Sequence, residues 1–263
     1  MQNVRAKKHL GQHFLKDQDV ACAIVDALVA TTQYKHVLEI GPGMGVLTQF
    51  LLQHTAKYQT YVIDIDTESV NYLRQAYVST PLKIIEGDFL KSNLSELLQL
   101  QGNEQFAVIG NFPYNISTQI IFKILDYKEL VPEVVGMFQK EVAERYAAKH
   151  GNKIYGITSV ITQAFYDIEY LMTIEPILFD PPPKVKSAVI RLTRKPNLTL
   201  ACNETLFIKV VKAGFSQRRK TLSNALKQLG INYINVPETT LKKRAEQLSV
   251  NDFIDLTNLL DNK

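Results

Sequence analysis

The stretch Leu38-Glu39-Ile40-Gly41-Pro42-Gly43-Met44-Gly45 decides the fold class. An apolar segment runs here into a loop with glycine at every second position. Glycine lets the main chain turn tightly, and it lets a ligand approach the backbone where the next helix begins. The spacing is G-x-G-x-G, not the G-x-G-x-x-G of the dinucleotide fingerprint, which weakens the case for a pyrophosphate ligand. A tight strand-to-helix turn without any ligand is the competing interpretation.

Outward from this loop, short β-branched runs alternate with segments of helical period. Seven strands are predicted, at His36 to Ile40, Thr60 to Asp64, Leu82 to Glu86, Phe106 to Gly110, Glu133 to Gln139, Tyr166 to Ile174 and Ala188 to Thr193. Helices are predicted at Asp17 to Ala30 and from near Gly45, Thr67, Ser92 and Ile116. This alternation is typical of an α/β fold with a Rossmann-like, mostly parallel sheet of about seven strands.

A domain boundary is predicted at Lys195-Pro196-Asn197, because strand character is lost after it. The following segment shows short helices separated by Gly230, Pro237 and Asn251. The sequence therefore predicts an α/β domain over residues 1–195 and a small all-α domain over residues 196–263.

The positive charge is concentrated in two stretches of a chain whose formal net charge is only +4. Residues 1–16 and 205–237 contain no acidic side chain, and the second stretch carries six cations. Such clusters favour a nucleic-acid partner, although scattered lysines are usually a solvated helix face. The candidate phosphate contacts are Arg5, Lys7, Lys8, Arg218, Arg219 and Lys220.

The two cysteines, Cys22 and Cys202, are too far apart in sequence for a metal-ligand spacing or a disulfide framework. No apolar run has the length of a signal peptide or a membrane span. The sequence therefore predicts a cytoplasmic protein with no metal site and no membrane partner.

Acidic residues follow the second and third predicted strands. Asp64 ends the second strand, and Gly87-Asp88-Phe89 follows the third. In an open parallel sheet the ligand lies outside the carboxyl ends of the strands, so these loops are expected to meet at one crevice. Asp64 is suited to accept hydrogen bonds from ribose hydroxyls, and Asp88 from the exocyclic amine of an adenine. Capping of the following helix is the alternative role for each.

The fourth predicted strand is followed by Asn111-Phe112-Pro113-Tyr114. The amino nitrogen of adenine is a poor nucleophile because its lone pair is delocalised into the ring. Two acceptors, the Asn111 side-chain oxygen and the Pro113 carbonyl, would draw that nitrogen toward a tetrahedral geometry and expose the lone pair. Tyr114 would stack on the base. An ordinary Asn-Pro turn is the alternative.

With these motifs in order, the chain resembles the ribosomal RNA adenine N6,N6-dimethyltransferase family over essentially its whole length. The matching stretches are Lys8 to Leu15, Glu39 to Gly45, Gly87 to Leu90, Asn111 to Tyr114, Gln139 to Arg145 and Phe179 to Ser187, and Phe215 to Lys220 is similar to bacterial members.

The resemblance implies a class I methyltransferase sheet that uses S-adenosylmethionine. It makes residues 1–195 the catalytic, cofactor-binding domain and residues 196–263 an RNA-binding domain. The cofactor residues implied by the resemblance and by the glycine loop are His13, Leu15, Gly41, Gly43, Asp64, Asp88 and Asn111. The catalytic residues predicted from the motif itself are Asn111, Pro113 and Tyr114, and the resemblance adds Phe179 as a second aromatic face for the flipped base. The chain departs from the family pattern in two places. The family often has Asn where this chain has His13, and it usually has Glu where this chain has Asp64.

The implied substrate is a pair of adjacent adenosines in the 3'-terminal hairpin of small-subunit (16S) ribosomal RNA, dimethylated on an assembling 30S particle by a monomeric enzyme. A methyltransferase of the macrolide-resistance type acting on 23S RNA is an alternative with the same core. A non-catalytic RNA-binding assembly factor and a nicotinamide dehydrogenase are further alternatives, the second disfavoured by the glycine spacing.

Overall fold

A seven-stranded sheet forms the centre of the larger of two compact units in this computed structural model, which describes residues 4–227, 230 and 233–261. We call residues 4–143 and 168–194 the sheet unit, and the described residues of 144–167 and 195–261 the helical unit. The strands are β1 (Phe14–Leu15), β2 (His36–Ile40), β3 (Gln59–Asp64), β4 (Lys83–Glu86), β5 (Phe106–Asn111), β6 (Glu133–Gln139), β7 (Tyr166–Ile174), β8 (Phe179–Asp180) and β9 (Ser187–Arg194).

The main sheet has the strand order β4-β3-β2-β5-β6-β9-β7. Strands β4, β3, β2, β5 and β6 pair in parallel, and β9 pairs antiparallel with β6. The central strands are continuous apolar runs because helices cover both faces of the sheet, and Val37, Val62 and Val108 are fully buried. The predicted mostly parallel, seven-stranded α/β fold is confirmed.

The helices are α1 (Gln18–Asp26), α2 (Thr48–Leu51), α3 (Thr67–Ala76), α4 (Leu94–Leu97), α5 (Ser117–Asp126), α6 (Lys140–Ala147), α7 (Ile157–Phe165), α8 (Glu204–Ser216), α9 (Leu222–Lys227), α10 (Glu238–Leu241) and α11 (Val250–Leu260). Short 3-10 turns occur at Lys8–Leu10, Leu52–His54, Pro176–Leu178 and Ala245–Gln247. Helix α1 ends earlier than its apolar period predicts. The buried carboxylate of Glu133 accepts hydrogen bonds from the main-chain N–H groups of Val29 and Ala30, each at 3.0 Å, and holds them outside the helix.

Two short strands that the sequence does not reveal tie the amino-terminal segment to the loop that contains Pro181, Pro182 and Pro183, which we call the proline-rich loop. β1 pairs antiparallel with β8, with Phe14 opposite Asp180 and Leu15 opposite Phe179. Two-residue strands carry no detectable alternation, so only the folded chain shows them.

The helical unit takes in residues 144–167 as well as the segment after Arg194. This grouping differs from the predicted boundary, which left residues 144–167 with the catalytic domain. Within the unit α7 packs against α8 and α11, and Phe207 and Phe253 are fully buried. Helix α11 begins at a capping box in which Ser249 and Asp252 satisfy each other's main-chain N–H groups. No helix of the described residues is long and apolar enough to cross a membrane.

Candidate active site

Four parallel strands, β2 to β5, end at one edge of the sheet, and their loops line a cavity of about 200 Å³. We call it the cofactor cleft. Eight residues singled out in the sequence line it, namely His13, Gly41, Gly43, Asp64, Asp88, Asn111, Pro113 and Tyr114. The structure therefore brings together the three loops that the sequence expected to meet and adds the amino-terminal segment as a further wall.

The glycine loop after β2 needs glycine for two reasons. Gly41 and Gly43 have φ angles of 66° and 56°, in the left-handed region that other residues rarely adopt. A Cβ atom on Gly43 would lie 2.8 Å from the ring of Phe14, closer than non-bonded carbon atoms approach. The amino-terminal segment can pack directly on the loop because the side chain is absent.

Asp64 ends β3 and is 7% exposed. Its carboxylate accepts a hydrogen bond from the main-chain N–H of Asp66 at 2.9 Å and one from that of Gly43 at 3.4 Å. Burial raises the pKa of Asp64, although the two main-chain hydrogen bonds oppose the shift. A carboxylate has about four acceptor positions, so Asp64 still has acceptor capacity toward the cleft.

Asp88 stabilises a local turn and lines the cleft, but it does not cap the following helix α4, whose N-cap is Asn93. Its carboxylate accepts a hydrogen bond from the main-chain N–H of Leu90 at 2.9 Å and pairs with Lys91 at 3.4 Å, and it also lines the cleft. The adjacent Phe89 is 4% exposed and also lines the cleft. Local turn formation and ligand contact are thus compatible at this position.

Asn111 at the end of β5 is held in one orientation. Its Nδ2 donates a hydrogen bond of 2.7 Å to the main-chain carbonyl of His13. The amide nitrogen therefore has a partner, whereas the Oδ1 atom accepts no hydrogen bond from the described residues. Because the side chain lines the cleft, this leaves a fixed acceptor oxygen there.

The carbonyl of Pro113 provides a second acceptor. It accepts a hydrogen bond of 3.1 Å from the main-chain N–H of Ile116, which leaves one of its two lone pairs. The next residue, Tyr114, is anchored by a 2.5 Å hydrogen bond between its hydroxyl and Ser187, and its ring lies 5.3 Å from that of His13. Burial raises the pKa of Tyr114, so the ring is neutral at ordinary pH.

The amino-terminal wall is fastened to the sheet through Asp66, a residue that no motif in the sequence singles out. Asp66 accepts hydrogen bonds from Lys7 Nζ at 2.5 Å and from Gln12 Nε2 at 3.1 Å. Burial alone would raise the pKa of Asp66, but the hydrogen bonds from Lys7 and Gln12 outweigh it and hold that pKa below its usual range. The pairing also occupies Lys7, which was predicted to contact RNA.

Two predicted site residues do not reach the cofactor cleft. Phe179 is 1% exposed and packs in the hydrophobic core of the sheet unit, so its ring offers no face to a base in this structure. Its position in β8, opposite Leu15, turns the side chain inward. Leu15 is buried in the same core and lines a second, larger cavity of about 930 Å³, which shares Gly41 with the cofactor cleft.

The second cavity is also lined by Glu39, a buried acid for which the sequence suggested no role. Its carboxyl group accepts a 2.5 Å hydrogen bond from Thr48, and burial raises its pKa to about 8.

Ile65 is an apolar residue of the cofactor cleft that the sequence analysis did not single out. It lies between two aspartates and is 56% exposed. The sequence feature that could have indicated Ile65 is the alternation of apolar and acidic residues, which continues past the end of β3.

Arg218, predicted to grip phosphate, is engaged within the helical unit. Its guanidinium donates hydrogen bonds to the main-chain carbonyls of Lys153 and Tyr155 and pairs with Glu246 at 3.3 Å. These partners are distant in sequence, so the charge pattern alone could not reveal them. Arg218 therefore serves to hold the unit together.

The other predicted RNA contacts remain on the surface. Arg219 and Lys220 are exposed in the turn after α8, and Arg5 and Lys8 are exposed near the amino terminus. Among the described residues, no three His, Cys, Asp or Glu side chains come together as a metal site.

Comparison with known proteins gives one consistent result. The family model for ribosomal RNA adenine dimethylase matches residues 3–262. A protein of Cytophaga hutchinsonii named ribosomal RNA small subunit methyltransferase A is 60% identical, with 100% of both chains covered. A protein of the same name from Flavobacterium johnsoniae is 54% identical over 99% of this chain and 98% of its own.

Solved structures show the same architecture. A dimethyladenosine transferase from Plasmodium falciparum is 28% identical with a TM-score of 0.74, covering 93% of this chain and 96% of its own. The 23S rRNA methyltransferase ErmE is 21% identical with a TM-score of 0.69, a likeness of fold alone, covering 95% and 100%. The family model spans nearly the whole chain and the relatives are more than half identical to it, so the chain belongs to the ribosomal RNA adenine dimethylase family.

Proposed function

We propose that this protein transfers methyl groups from S-adenosylmethionine to the N6 amines of two adjacent adenosines in the 3'-terminal hairpin of 16S ribosomal RNA, on the assembling small subunit. The observation that carries the proposal is the orientation of Asn111, whose Nδ2 is bound to the carbonyl of His13 while its Oδ1 is left as an acceptor in the cleft. Family membership and the names of the relatives support the same activity.

The residues of the cofactor cleft fit S-adenosylmethionine. Asp64 and Asp88 offer carboxylate acceptors suited to ribose hydroxyls and to an exocyclic amine, and Ile63 and Ile65 offer apolar surface for a purine ring. Gly41 and Gly43 of the left-handed glycine loop line the same cleft. When bound, the cofactor supplies a methyl group already activated as a sulfonium.

The chain's own task is then to present the adenine nitrogen. The Asn111 Oδ1 atom and the Pro113 carbonyl accept hydrogen bonds from the two N–H bonds of the amine. This draws the nitrogen toward a tetrahedral geometry and points its lone pair away from both oxygens. Tyr114 stacks on the base and holds its plane, so most of the rate enhancement comes from positioning.

The target base must leave its stack to reach this site. A base inside a duplex cannot present its amine to a methyl donor, so the enzyme binds an unpaired or extruded adenosine. Exposed cations such as Arg219, Lys220, Arg5 and Lys8 provide the phosphate contacts that hold the RNA. We take the protein to act as a monomer in the cytoplasm, where its proposed substrate is assembled.

Methylation of undermethylated small subunits, followed by mapping of the modified bases, tests this function. We expect two adjacent N6,N6-dimethyladenosines near the 3' end of the small-subunit RNA. Methylation of large-subunit RNA alone would instead support the macrolide-resistance type of activity. A complete absence of methyl transfer to either RNA would contradict the proposal and favour a non-catalytic assembly factor.

A further inference from the structure

His13 contacts three different parts of the site. Its main-chain carbonyl accepts the hydrogen bond from Asn111 Nδ2 at 2.7 Å. Its ring nitrogen Nδ1 lies 2.7 Å from the main-chain carbonyl oxygen of Pro181. Its ring stacks on that of Tyr114, with the centroids 5.3 Å apart and the planes inclined by 30°. One residue thus joins the amine acceptor, the base platform and the proline-rich loop.

The contact with Pro181 defines the chemistry of the imidazole. A carbonyl oxygen only accepts hydrogen bonds, so Nδ1 must carry the hydrogen and donate it. That nitrogen is therefore occupied and is not free to contact the cofactor. The pairing of β1 with β8 holds the two partners in register, because Phe14 and Asp180, which follow His13 and precede Pro181, lie opposite each other.

Tyr114 is consequently fixed at its edge and on one face. The hydroxyl is bound to Ser187 at 2.5 Å, and the ring of His13 covers one side at a distance typical of offset aromatic pairs. A base can then stack only on the opposite face. Phe179 offers no second platform, because it is 1% exposed in the core.

We propose that His13 is a positioning residue for the target adenine and acts by holding the Tyr114 ring against the proline-rich loop. This inference rests on the proposed function, since it assigns the residue to the binding of that substrate base. The cofactor cleft contains His13 as a wall residue, but its side-chain contacts are directed at Tyr114 and Pro181.

The test uses a hairpin RNA in which one target adenosine is replaced by 2-aminopurine, a fluorescent base whose emission falls when it stacks. Tyr114→Ala gives the reference emission for a base without its platform. We expect the wild-type complex to be dimmer than this reference and His13→Ala to move toward it. On small subunits, His13→Ala should lower kcat/KM by about tenfold, the combined effect of removing an aromatic pair and a hydrogen bond.

Two further variants separate the ring from the hydrogen bond. His13→Phe keeps an aromatic face and removes the donor to Pro181, so its emission should lie between those of the wild type and His13→Ala. His13→Asn keeps an amide donor and removes the ring, so it should resemble His13→Ala. The matched control is His54→Ala, which removes another histidine packed on a tyrosine, with ring centroids 6.1 Å apart, outside the cleft.

Affinity for S-adenosylhomocysteine, measured by calorimetry on the same variants, separates a role of His13 in base positioning from a role in cofactor binding. Weaker binding of this ligand with unaltered fluorescence would show that His13 serves the cofactor and would overturn the inference. Equal fluorescence and equal kcat/KM for His13→Ala and His54→Ala would overturn it as well. If the wild type methylates small subunits and His13→Ala does so equally well, only the role of His13 is refuted. If the wild type is inactive, the proposed function is refuted.

Discussion

At the scale of single residues, the two polar atoms of the Asn111 side chain have different roles. Nδ2 donates to the carbonyl of His13, and this leaves Oδ1 as an acceptor in the cleft. The Asn-Pro-Tyr motif and the acids Asp64 and Asp88 were predictable, because their types and their places after strands follow from the chemistry of adenine and ribose. The inward direction of Phe179 was not predictable, because it depends on pairing with Leu15, which is 164 positions away. The same applies to Arg218, whose carbonyl partners lie 63 and 65 positions away.

Asp64 should make cofactor binding depend on pH. Burial raises the pKa of this carboxyl, and its ionised form is the stronger hydrogen-bond acceptor for ribose hydroxyls. Affinity for S-adenosylhomocysteine should therefore fall as the pH is lowered, beginning above the ordinary titration range of an aspartate. Asp64→Asn should bind about 10- to 100-fold more weakly at neutral pH, as expected when hydrogen bonds to a charged group are removed.

The role of Asp64 is tested by how steeply the affinity for S-adenosylhomocysteine falls as the pH is lowered. Calorimetric titrations over a pH series should show no acid-side decrease for Asp64→Asn, while Asp64→Glu retains one. An identical acid-side decrease in Asp64→Asn would assign the pH dependence to another group.

At the scale of elements, the strands were predictable because buried parallel strands are continuous apolar runs, which short windows of sequence reveal. The bounds of β2, β6 and β7 are those expected from the sequence. The end of α1 was mispredicted because the carboxylate of Glu133, more than 100 positions away, binds the main chain after the helix. Local periodicity contains no information about such a partner.

Glu39 joins the end of β2 to the start of α2 and should affect stability according to pH. Its ordinary pKa is 4.5, and burial raises the folded-state pKa to about 8. The folded state therefore favours the protonated form. Its stabilising contribution is fully present below pH 4.5 and is lost as the pH rises to about 8.

Glu39→Gln removes this titration and keeps a polar group beside Thr48. Thermal unfolding should show that the Tm of Glu39→Gln increases relative to that of the wild type as the pH rises from 4.5 to about 8. Each pKa unit corresponds to about 1.4 kcal/mol of unfolding free energy. Glu96→Gln, at an exposed acid on α4, serves as the control. A constant difference in Tm between Glu39→Gln and the wild type across the series would show that Glu39 does not titrate in this way.

At the scale of the whole molecule, the two compact units were only partly predictable. The sequence change at Lys195 indicates a boundary, but residues 144–167 join the helical unit through packing that no local pattern reveals. Helix α7 packs on α8 and α11, so the unit is built from two separate parts of the chain.

A chain truncated after Lys195 should therefore fold poorly. Without α8 and α11, the apolar side chains of α7 that pack against these two helices would be exposed. Each such side chain contributes roughly 1.5 to 3 kcal/mol when buried, so the truncated chain should aggregate or lose cooperative unfolding. A soluble truncated chain with a single sharp unfolding transition would contradict this grouping of residues.

The basic turn after α8 should divide into two roles. Arg219→Ala and Lys220→Ala should weaken RNA binding and reduce its salt dependence by roughly one unit of slope for each phosphate that is no longer neutralised. Arg218→Ala should instead lower the Tm, because three interactions within the helical unit depend on its guanidinium. Filter binding over a salt series, with thermal unfolding in parallel, separates the two effects, and an unchanged slope in the first two variants would exclude Arg219 and Lys220 as phosphate-binding residues.

Single-turnover methyl transfer by Asn111→Ala, with affinity for S-adenosylhomocysteine and Tm measured on the same preparation, tests the central claim most directly. If the Asn111 oxygen aligns the adenine amine, the rate should fall by about 100-fold or more, as when a single positioned hydrogen-bonding group is removed from a reacting centre. The Tm should stay close to that of the wild type. A folded Asn111→Ala protein that transfers the methyl group at nearly the wild-type rate would contradict the account.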